Sequence, residues 1–294
     1  MSRKKLSLVL LIAALAISCM LVAGCTDQSN QTAQETTSKG TVSIGYVLWD
    51  SEIASTNVLK QVFEKAGYDV ELKAVDAGPL YQALADGDVD CTASAWLPLT
   101  QASYWEKYGD DIDLVRHNLD GAKCGLVVPD YVTIDSIDEM NGVKDKFDKR
   151  ITGIESGAGI MGNTEKAITS YDLDYELTAS SSAAMAAELS KAYNDNEWIV
   201  VTGWTPHWMF VRFNLKYLDD PKGVYGGAEY IGTLAKKGLK EEKPGVYGIL
   251  ERFHWNSDDI ESVMLSIEGG ASEEDAASEW IKSHPDMVSE WIGN

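Results

Sequence analysis

Three tryptophans stand where this sequence could bind a cation. Trp49 follows an apolar run, and Trp96 and Trp204 each precede a proline by two positions. Trp49 lies 47 positions before Trp96, and Gly157 precedes Trp204 by the same interval, which indicates two equivalent halves facing a shared site. Indole faces bind cations better than other side chains do. A place in the core is the simpler interpretation of any one tryptophan, but three at matching positions favour a cage around a cation.

A glycine-rich turn accompanies these tryptophans. Residues Gly157–Gly162 match G-x-G-x-x-G between a predicted strand and a predicted helix. The pattern is typical of a dinucleotide site, with Asp174 or Glu176 as the acid that binds the ribose, and also of a turn without a ligand. Because the N-terminus of a helix offers free N–H groups and partial positive charge, such a turn suits any anion, including a single carboxylate.

No catalytic set is recognisable in the sequence. The four histidines are scattered without metal-ligand spacing, and neither H-E-x-x-H nor G-x-S-x-G is present. We therefore expect a binding protein without cofactor or metal, not a secreted enzyme. His207 shares a turn with Trp204, and either a hydrogen bond near the site or a helix-cap or surface position would explain it. A sugar-binding module also uses tryptophan platforms, but it needs buried polar side chains that we do not recognise.

The first residues are typical of an export signal. A basic start precedes the apolar run Leu8–Ile17, which is too short for a membrane-spanning helix of about 20 residues. The signal, residues 1–24, ends in L-V-A-G before Cys25 and resembles a lipobox, so we expect Cys25 to carry a lipid; a plain secreted protein is the alternative. Residues 25–40 are rich in Ser, Thr and Gln and predict a flexible tether. The predicted location is extracytoplasmic, lipid-anchored to the cell membrane.

Charge and cysteine content narrow the partners. The chain has 25 Lys and Arg against 46 Asp and Glu, and loss of three basic residues with the signal gives 22 − 46 = −24. This excludes the basic footprint of a nucleic-acid-binding protein and would repel an anionic lipid surface. Cys91 and Cys124 could pair in an oxidising compartment, or Cys91 could simply fill a buried strand.

Strands and helices alternate in both halves, which predicts α/β lobes built on βαβαβ units with mostly parallel sheets. The three tryptophans follow predicted strands, at the end of a parallel sheet where ligands bind. Crossings near residues 118–122 and 222–230 would form a hinge. We assign residues 41–120 and 226–294 to lobe 1 and residues 121–225 to lobe 2.

A cage and an anion-binding turn together select a small zwitterion with a quaternary nitrogen, such as glycine betaine. A trimethylammonium group has no N–H to satisfy, whereas a primary ammonium in the cage would leave its N–H groups unpaired. Each desolvated cation–π contact contributes about 2 kcal/mol and each charge-assisted hydrogen bond about 1.5–3 kcal/mol. Micromolar binding, about −8 kcal/mol, is then expected.

At these residues the chain resembles the glycine betaine-binding lipoproteins of ABC importers, the OpuAC type, over nearly the whole mature chain. The resemblance implies a type II periplasmic-binding-protein fold with two lobes and a hinge, an ABC permease as partner, and a tryptophan prism at Trp49, Trp96 and Trp204. It also implies carboxylate-binding amides at Gly159 and Ile160. The motifs that carry it are Ile44–Trp49, Ala95–Thr100, Gly157–Met161 and Thr202–Phe210.

One position departs from the family pattern. Similar proteins often have His after the Thr of the A-W-L-P-x-T motif, where it also bonds the carboxylate, and this chain has Gln101. Glutamine donates a neutral hydrogen bond and cannot become cationic, so the choice among betaines, such as glycine betaine or proline betaine, stays open. Choline, carnitine or a sulfonium analogue is the alternative ligand class, and the carboxylate turn argues against choline.

Overall fold

The computed structural model describes residues 38–294. The predicted signal, the predicted lipid site Cys25 and nearly all of the predicted tether lie outside the described residues. Within this described part, no helix combines the length and the apolar character that crossing a membrane requires.

The first half begins with a βαβαβ unit. Its three strands are parallel in the order β2-β1-β3, and its first helix buries a continuous apolar face that includes Val58 and Val62. The second helix ends at Gly87, which has a φ of 80°, the left-handed conformation that glycine adopts at helix ends. The elements are β1 (Thr41–Tyr46), α1 (Asp50–Lys65), β2 (Asp69–Ala74), α2 (Ala77–Asp86) and β3 (Cys91–Leu97), followed by α3 (Ala102–Tyr108).

The second half repeats this unit with shorter strands. Its parallel order is β6-β5-β7, and the Ser181 side chain caps its second long helix by accepting the N–H of Ala184. A 3₁₀ segment, Ile137–Phe147, precedes the unit. The elements are β5 (Arg150–Thr152), α4 (Gly159–Ser170), β6 (Glu176–Thr178), α5 (Ser182–Asp195) and β7 (Val201–Thr205), followed by α6 (Trp208–Arg212) and β8 (Leu215–Tyr217).

One long strand joins the two halves. Strand β4 (Ile112–Pro129) pairs antiparallel with β9 (Glu229–Lys236) as far as Ala122, and with β7 from Lys123 onward. Strand β9 also pairs antiparallel with β3, so each parallel unit is extended by antiparallel strands. The predicted two-lobed α/β class, type II, is confirmed; the lobe boundaries given above stay a prediction.

The C-terminal helices pack on the first half, against α1. Helices α9 and α10 contact α1, and Trp280 and Trp291 are buried among them, with stacked rings 5.5 Å apart. The helices are α7 (Leu239–Glu242), α8 (Pro244–Arg252), α9 (Ser257–Glu268), α10 (Glu273–Ser283) and α11 (Pro285–Ile292).

Candidate functional site

A small pocket lies where the two parallel units face each other. Its volume is about 260 Å³, part of it open to solvent, and lies below the roughly 300–1,000 Å³ of pockets for drug-sized ligands. Five of the residues singled out from the sequence share this pocket, while Gln101 and His207 do not line it. The lining residues are Trp49, Trp96, Thr100, Cys124, Ile154, Ala158, Gly159, Ile160 and Trp204.

The three indoles come from the strand ends that the sequence predicts. Trp49 is the residue before α1, Trp96 is the sixth residue of β3 and Trp204 is the fourth of β7. Each is about 95% buried, yet all three face one pocket and not separate cores. The motif prolines Pro98 and Pro206 both follow cis peptide bonds.

Two of the three cage indoles donate their N–H to a carboxyl group. Trp96 Nε1 donates to Glu52 Oε1 at 3.0 Å, and Trp49 Nε1 donates to Glu155 Oε1. Glu52 is enclosed, and burial raises its pKa well above the ordinary value despite the bond from Trp96. The Nε1 atom of Trp204, in contrast, is buried without a partner among the described residues.

Gln101 holds the backbone of Trp96 from outside the pocket. Its side-chain oxygen accepts the backbone N–H of Trp96 at 2.9 Å and the hydroxyl of Tyr81, also at 2.9 Å. Gln101 is only 2% exposed. The structure therefore places it in the layer that fixes the β3 end and not in the pocket wall.

His207 supports Trp204 in a different way. Its fully buried ring meets the indole edge-on, with centroids 4.8 Å apart, and its Nδ1 accepts the N–H of Met209 at 3.2 Å. It is thus the cap of α6, which is one of the two roles that the sequence left open.

Asp50 connects this segment to the first half. Its carboxylate accepts the Trp208 indole N–H at 2.8 Å and the Ser182 hydroxyl at 2.6 Å, and His207 Nε2 lies 3.6 Å away. Burial would raise the pKa of Asp50, but the nearby His207 ring and the hydrogen bonds from Ser182 and Trp208 outweigh it and hold that pKa below its ordinary value. Trp208 is buried, and its bond to Asp50 bridges the halves.

The part of the pocket at which the sequence predicts carboxylate binding is the start of α4. Gly159 and Ile160 are its first two residues, and amides in the first turn of a helix have no acceptor within the helix. A Cβ on Gly159 would lie 2.0 Å from the carbonyl oxygen of Thr100. Only glycine permits this close approach of the two halves.

The loop after Trp96 is tied to strand β9. The carboxylate of Glu229 accepts the N–H of Leu99 at 2.8 Å and that of Thr100 at 2.7 Å, as well as the Thr100 hydroxyl. Glu229 is only 4% exposed. Three donors to one buried carboxylate hold this pocket wall in a fixed geometry.

Several residues of the site escaped the sequence analysis. Cys124 lines the pocket and Cys91 lies in β3; both are free thiols, so the disulfide that the sequence left open is absent from the structure. Glu52 is the third residue of α1, and Glu155 lies in the loop between β5 and α4. Their place in the connections that follow strands is the one signal that pointed to the site. Within residues 38–294, no group of three or more potential ligands could hold a metal ion.

A two-lobed fold with a small pocket between its halves is typical of a substrate-binding protein. Residues 40–283 match the family described as OpuAC, the substrate binding domain of ABC-type glycine betaine transport systems. The chain belongs to this family, whose members are substrate-binding proteins of ABC transporters and not enzymes.

Named relatives agree with this assignment. The chain is 48% identical over 173 residues to the glycine betaine/carnitine transport binding protein GbuC of Listeria monocytogenes serotype 1/2a (strain 10403S), a match that covers 58% of this chain and 56% of that protein. The crystal structure of lactococcal OpuAC, closed and complexed with glycine betaine, superposes with a TM-score of 0.83 at 46% identity, over 86% of this chain and 99% of that one.

A choline-binding protein is also similar in structure. An ABC-transporter choline binding protein in complex with choline has a TM-score of 0.80 at 29% identity, covering 86% of this chain and 91% of that chain. The fold is therefore shared by binders of betaines and of choline.

Proposed function

We propose that this chain is the extracytoplasmic receptor of an ABC importer for quaternary-ammonium osmolytes, with glycine betaine, or proline betaine, as its ligand. The observation that carries the proposal is the union of three indole faces with the start of α4 in one pocket. The indoles of Trp49, Trp96 and Trp204 enclose the methylated ammonium. The amides of Gly159 and Ile160 bind the carboxylate.

Gln101 and His207 act on the ligand through the rings that they support. Gln101 holds the backbone of Trp96, and His207 packs against Trp204. Neither lines the pocket, so their contribution is to keep the indoles in position. The ligand bridges the two halves, and the closed form is what the permease recognises.

Choline is the second candidate, favoured by the similarity to a choline-bound protein. Choline has the trimethylammonium group but lacks the carboxylate. If the start of α4 binds a carboxylate, choline loses those charge-assisted bonds, about 1.5–3 kcal/mol each, and competes poorly.

A thermal-shift screen followed by calorimetry tests the proposal. Glycine betaine at 100 times its Kd should stabilise the protein by about 2.7 kcal/mol, and choline, carnitine and proline serve as comparison ligands. Absence of a shift with every quaternary ammonium would contradict the proposal. Equal affinities for choline and glycine betaine would overturn the carboxylate role of Gly159 and Ile160.

The anchoring of the protein is a separate part of the proposal. We infer from the lipobox-like end of the signal that Cys25 is acylated and that the residues after it tether the protein to the outer face of the cell membrane. Replacement of Cys25 by Ala should release the exported protein from the membrane fraction. Retention of that variant in the membrane fraction would count against the anchor.

A further inference from the structure

The carboxyl groups beside the cage differ in their surroundings. Glu52, the partner of Trp96, is 1% exposed, and its second oxygen has no partner within residues 38–294. Burial raises its pKa well above the ordinary value, which favours the neutral acid. Glu155, the partner of Trp49, is only half-buried.

Water therefore reaches Glu155 on one side. Glu155 lines a groove of about 510 Å³, open to solvent, together with Leu48 and Asp76. The pKa of Glu155 is raised, chiefly by burial and further by the nearby Asp76 carboxylate, although bonds from its own backbone and from Trp49 act to lower it. Contact with water and a hydrogen-bond donor both favour the ionised carboxylate.

Glu155 also contacts both parts of the proposed binding site, the turn before α4 and the ring of Trp49. Its backbone carbonyl accepts the N–H of Ala158 at 3.0 Å, in the turn that leads into α4. Its side chain accepts the indole N–H of Trp49, which is 106 positions away in the other half.

A negative charge at an indole N–H changes what the ring can bind. Cations are attracted to the negative face of the ring quadrupole, and a carboxylate that accepts the N–H polarises the ring further in the same direction. The same charge repels the carboxylate of a zwitterion. Its net effect is therefore selection for the cationic end of the ligand at this ring.

We propose that Glu155 is a specificity-determining residue that acts through Trp49: it raises the affinity of the cage for a permanently charged head group over a neutral group of the same shape. This inference rests on the proposed function. Glu155 does not line the ligand pocket, so it acts as a positioning and polarising residue for a ring that does.

The test compares two ligands of matched shape. Glycine betaine carries a trimethylammonium group, and 3,3-dimethylbutanoate carries a tert-butyl group in its place, with the same carboxylate. The ratio of their affinities measures the contribution of the positive charge, because packing and carboxylate binding are common to both. Calorimetry gives this ratio for the wild type and for each variant, with the melting temperature as a check of folding.

Glu155→Gln keeps a hydrogen-bond acceptor for Trp49 and removes the charge. We expect the affinity ratio to fall by about three- to tenfold, in line with a partial loss of a desolvated cation–π contact. Affinity for 3,3-dimethylbutanoate itself should stay the same or rise. The matched control is Asp76→Asn, which removes a charge from the same groove at an exposed residue that has no bond to an indole. The affinity ratio of this variant should differ from that of the wild type by less than about twofold, because solvent and salt screen the Asp76 charge.

The outcomes separate the two proposals. If wild-type protein binds neither ligand, the proposed function fails and takes this inference with it. If wild-type protein prefers glycine betaine but Glu155→Gln weakens both ligands by one common factor, Glu155 only holds the halves together and this inference alone is overturned. An unchanged ratio, or an equal fall in Asp76→Asn, overturns it as well.

Discussion

Trp96 and Trp204 occupy the same place in two similar motifs, yet their surroundings hold them by different means. Trp96 is held by polar groups of its own half, with its indole N–H on Glu52 and its backbone N–H on Gln101. Trp204 has no partner for its indole N–H in the described chain and is held by the edge of the His207 ring. The comparison teaches that a repeated motif repeats the position of a ring and not the interactions that fix it.

Removal of either ring should have the largest effect. Trp96→Ala and Trp204→Ala each delete one wall of the cage, and we expect binding of glycine betaine to weaken by at least about 30-fold, the equivalent of one desolvated cation–π contact of about 2 kcal/mol. Calorimetry measures the loss, with circular dichroism as the control for folding. Wild-type affinity in either folded variant would defeat the cage.

Gly159→Ala should have the next largest effect, because it acts where the halves touch. The new Cβ would collide with the Thr100 carbonyl, so the start of α4 must move away from the Trp96 side. We expect about a tenfold loss of affinity, the equivalent of one displaced charge-assisted hydrogen bond of about 1.5 kcal/mol. Gly162→Ala is the control, since a Cβ there meets open space; a similar loss in both would rule out the contact as the cause.

Phenylalanine substitutions should separate the two tryptophans. Trp96→Phe leaves the buried Glu52 carboxyl without its donor, whereas Trp204→Phe removes an N–H that has no partner in the described chain. Trp96→Phe should therefore lower the free energy of unfolding by about 1–3 kcal/mol more than Trp204→Phe does. Chemical denaturation checks this difference, and equal losses would contradict the contrast between polar and packed support.

Asp50→Asn should have the smallest effect and should depend on pH. The pKa of Asp50 is held below its ordinary value of 3.8, so its carboxylate stabilises the fold above about pH 4 and loses that contribution as the pH falls toward the folded-state pKa. At pH 7 the variant should melt a few degrees lower than wild type. The difference should narrow below about pH 4, and a gap that stays constant down to pH 2.5 would show that charge at Asp50 is not involved.

Sequence patterns were sufficient to locate the three tryptophans but not to identify the side chains that accept their N–H groups. Trp49 follows β1, and Trp96 and Trp204 lie at the ends of β3 and β7, all in recognisable βαβ units. Parallel strands place their C-terminal ends at one edge of a sheet. Glu52 accepts the indole N–H of Trp96 from 44 positions away, and Glu155 accepts that of Trp49 from 106 positions away. Such pairs are fixed by tertiary packing, which no local periodicity encodes.

Strand β4 and its pairing with β9 were also beyond what the sequence patterns predict. The sequence analysis placed a crossing near residues 118–122, but it did not predict that one strand, β4, runs continuously from Ile112 to Pro129 through both sheets. Pairing with β9 involves register shifts at three places, and an alternation pattern interrupted by bulges is hard to recognise. Gln101 illustrates the point at the level of one residue: its motif position was clear, but its hydrogen bonds to Tyr81 and Trp96 depend on an adjacent helix.

Glu229 holds one side of the pocket in place. Glu229 is the first residue of β9, and its carboxylate accepts hydrogen bonds from the loop after Trp96. These bonds fix the position of that loop relative to β9. If the halves separate to admit a ligand, the displacement falls on Gly159, Ile160 and Trp204, which approach or leave a wall that is already in place. In that event the wall held by Glu229 needs no reorganisation, and only the opposite wall must be organised on capture.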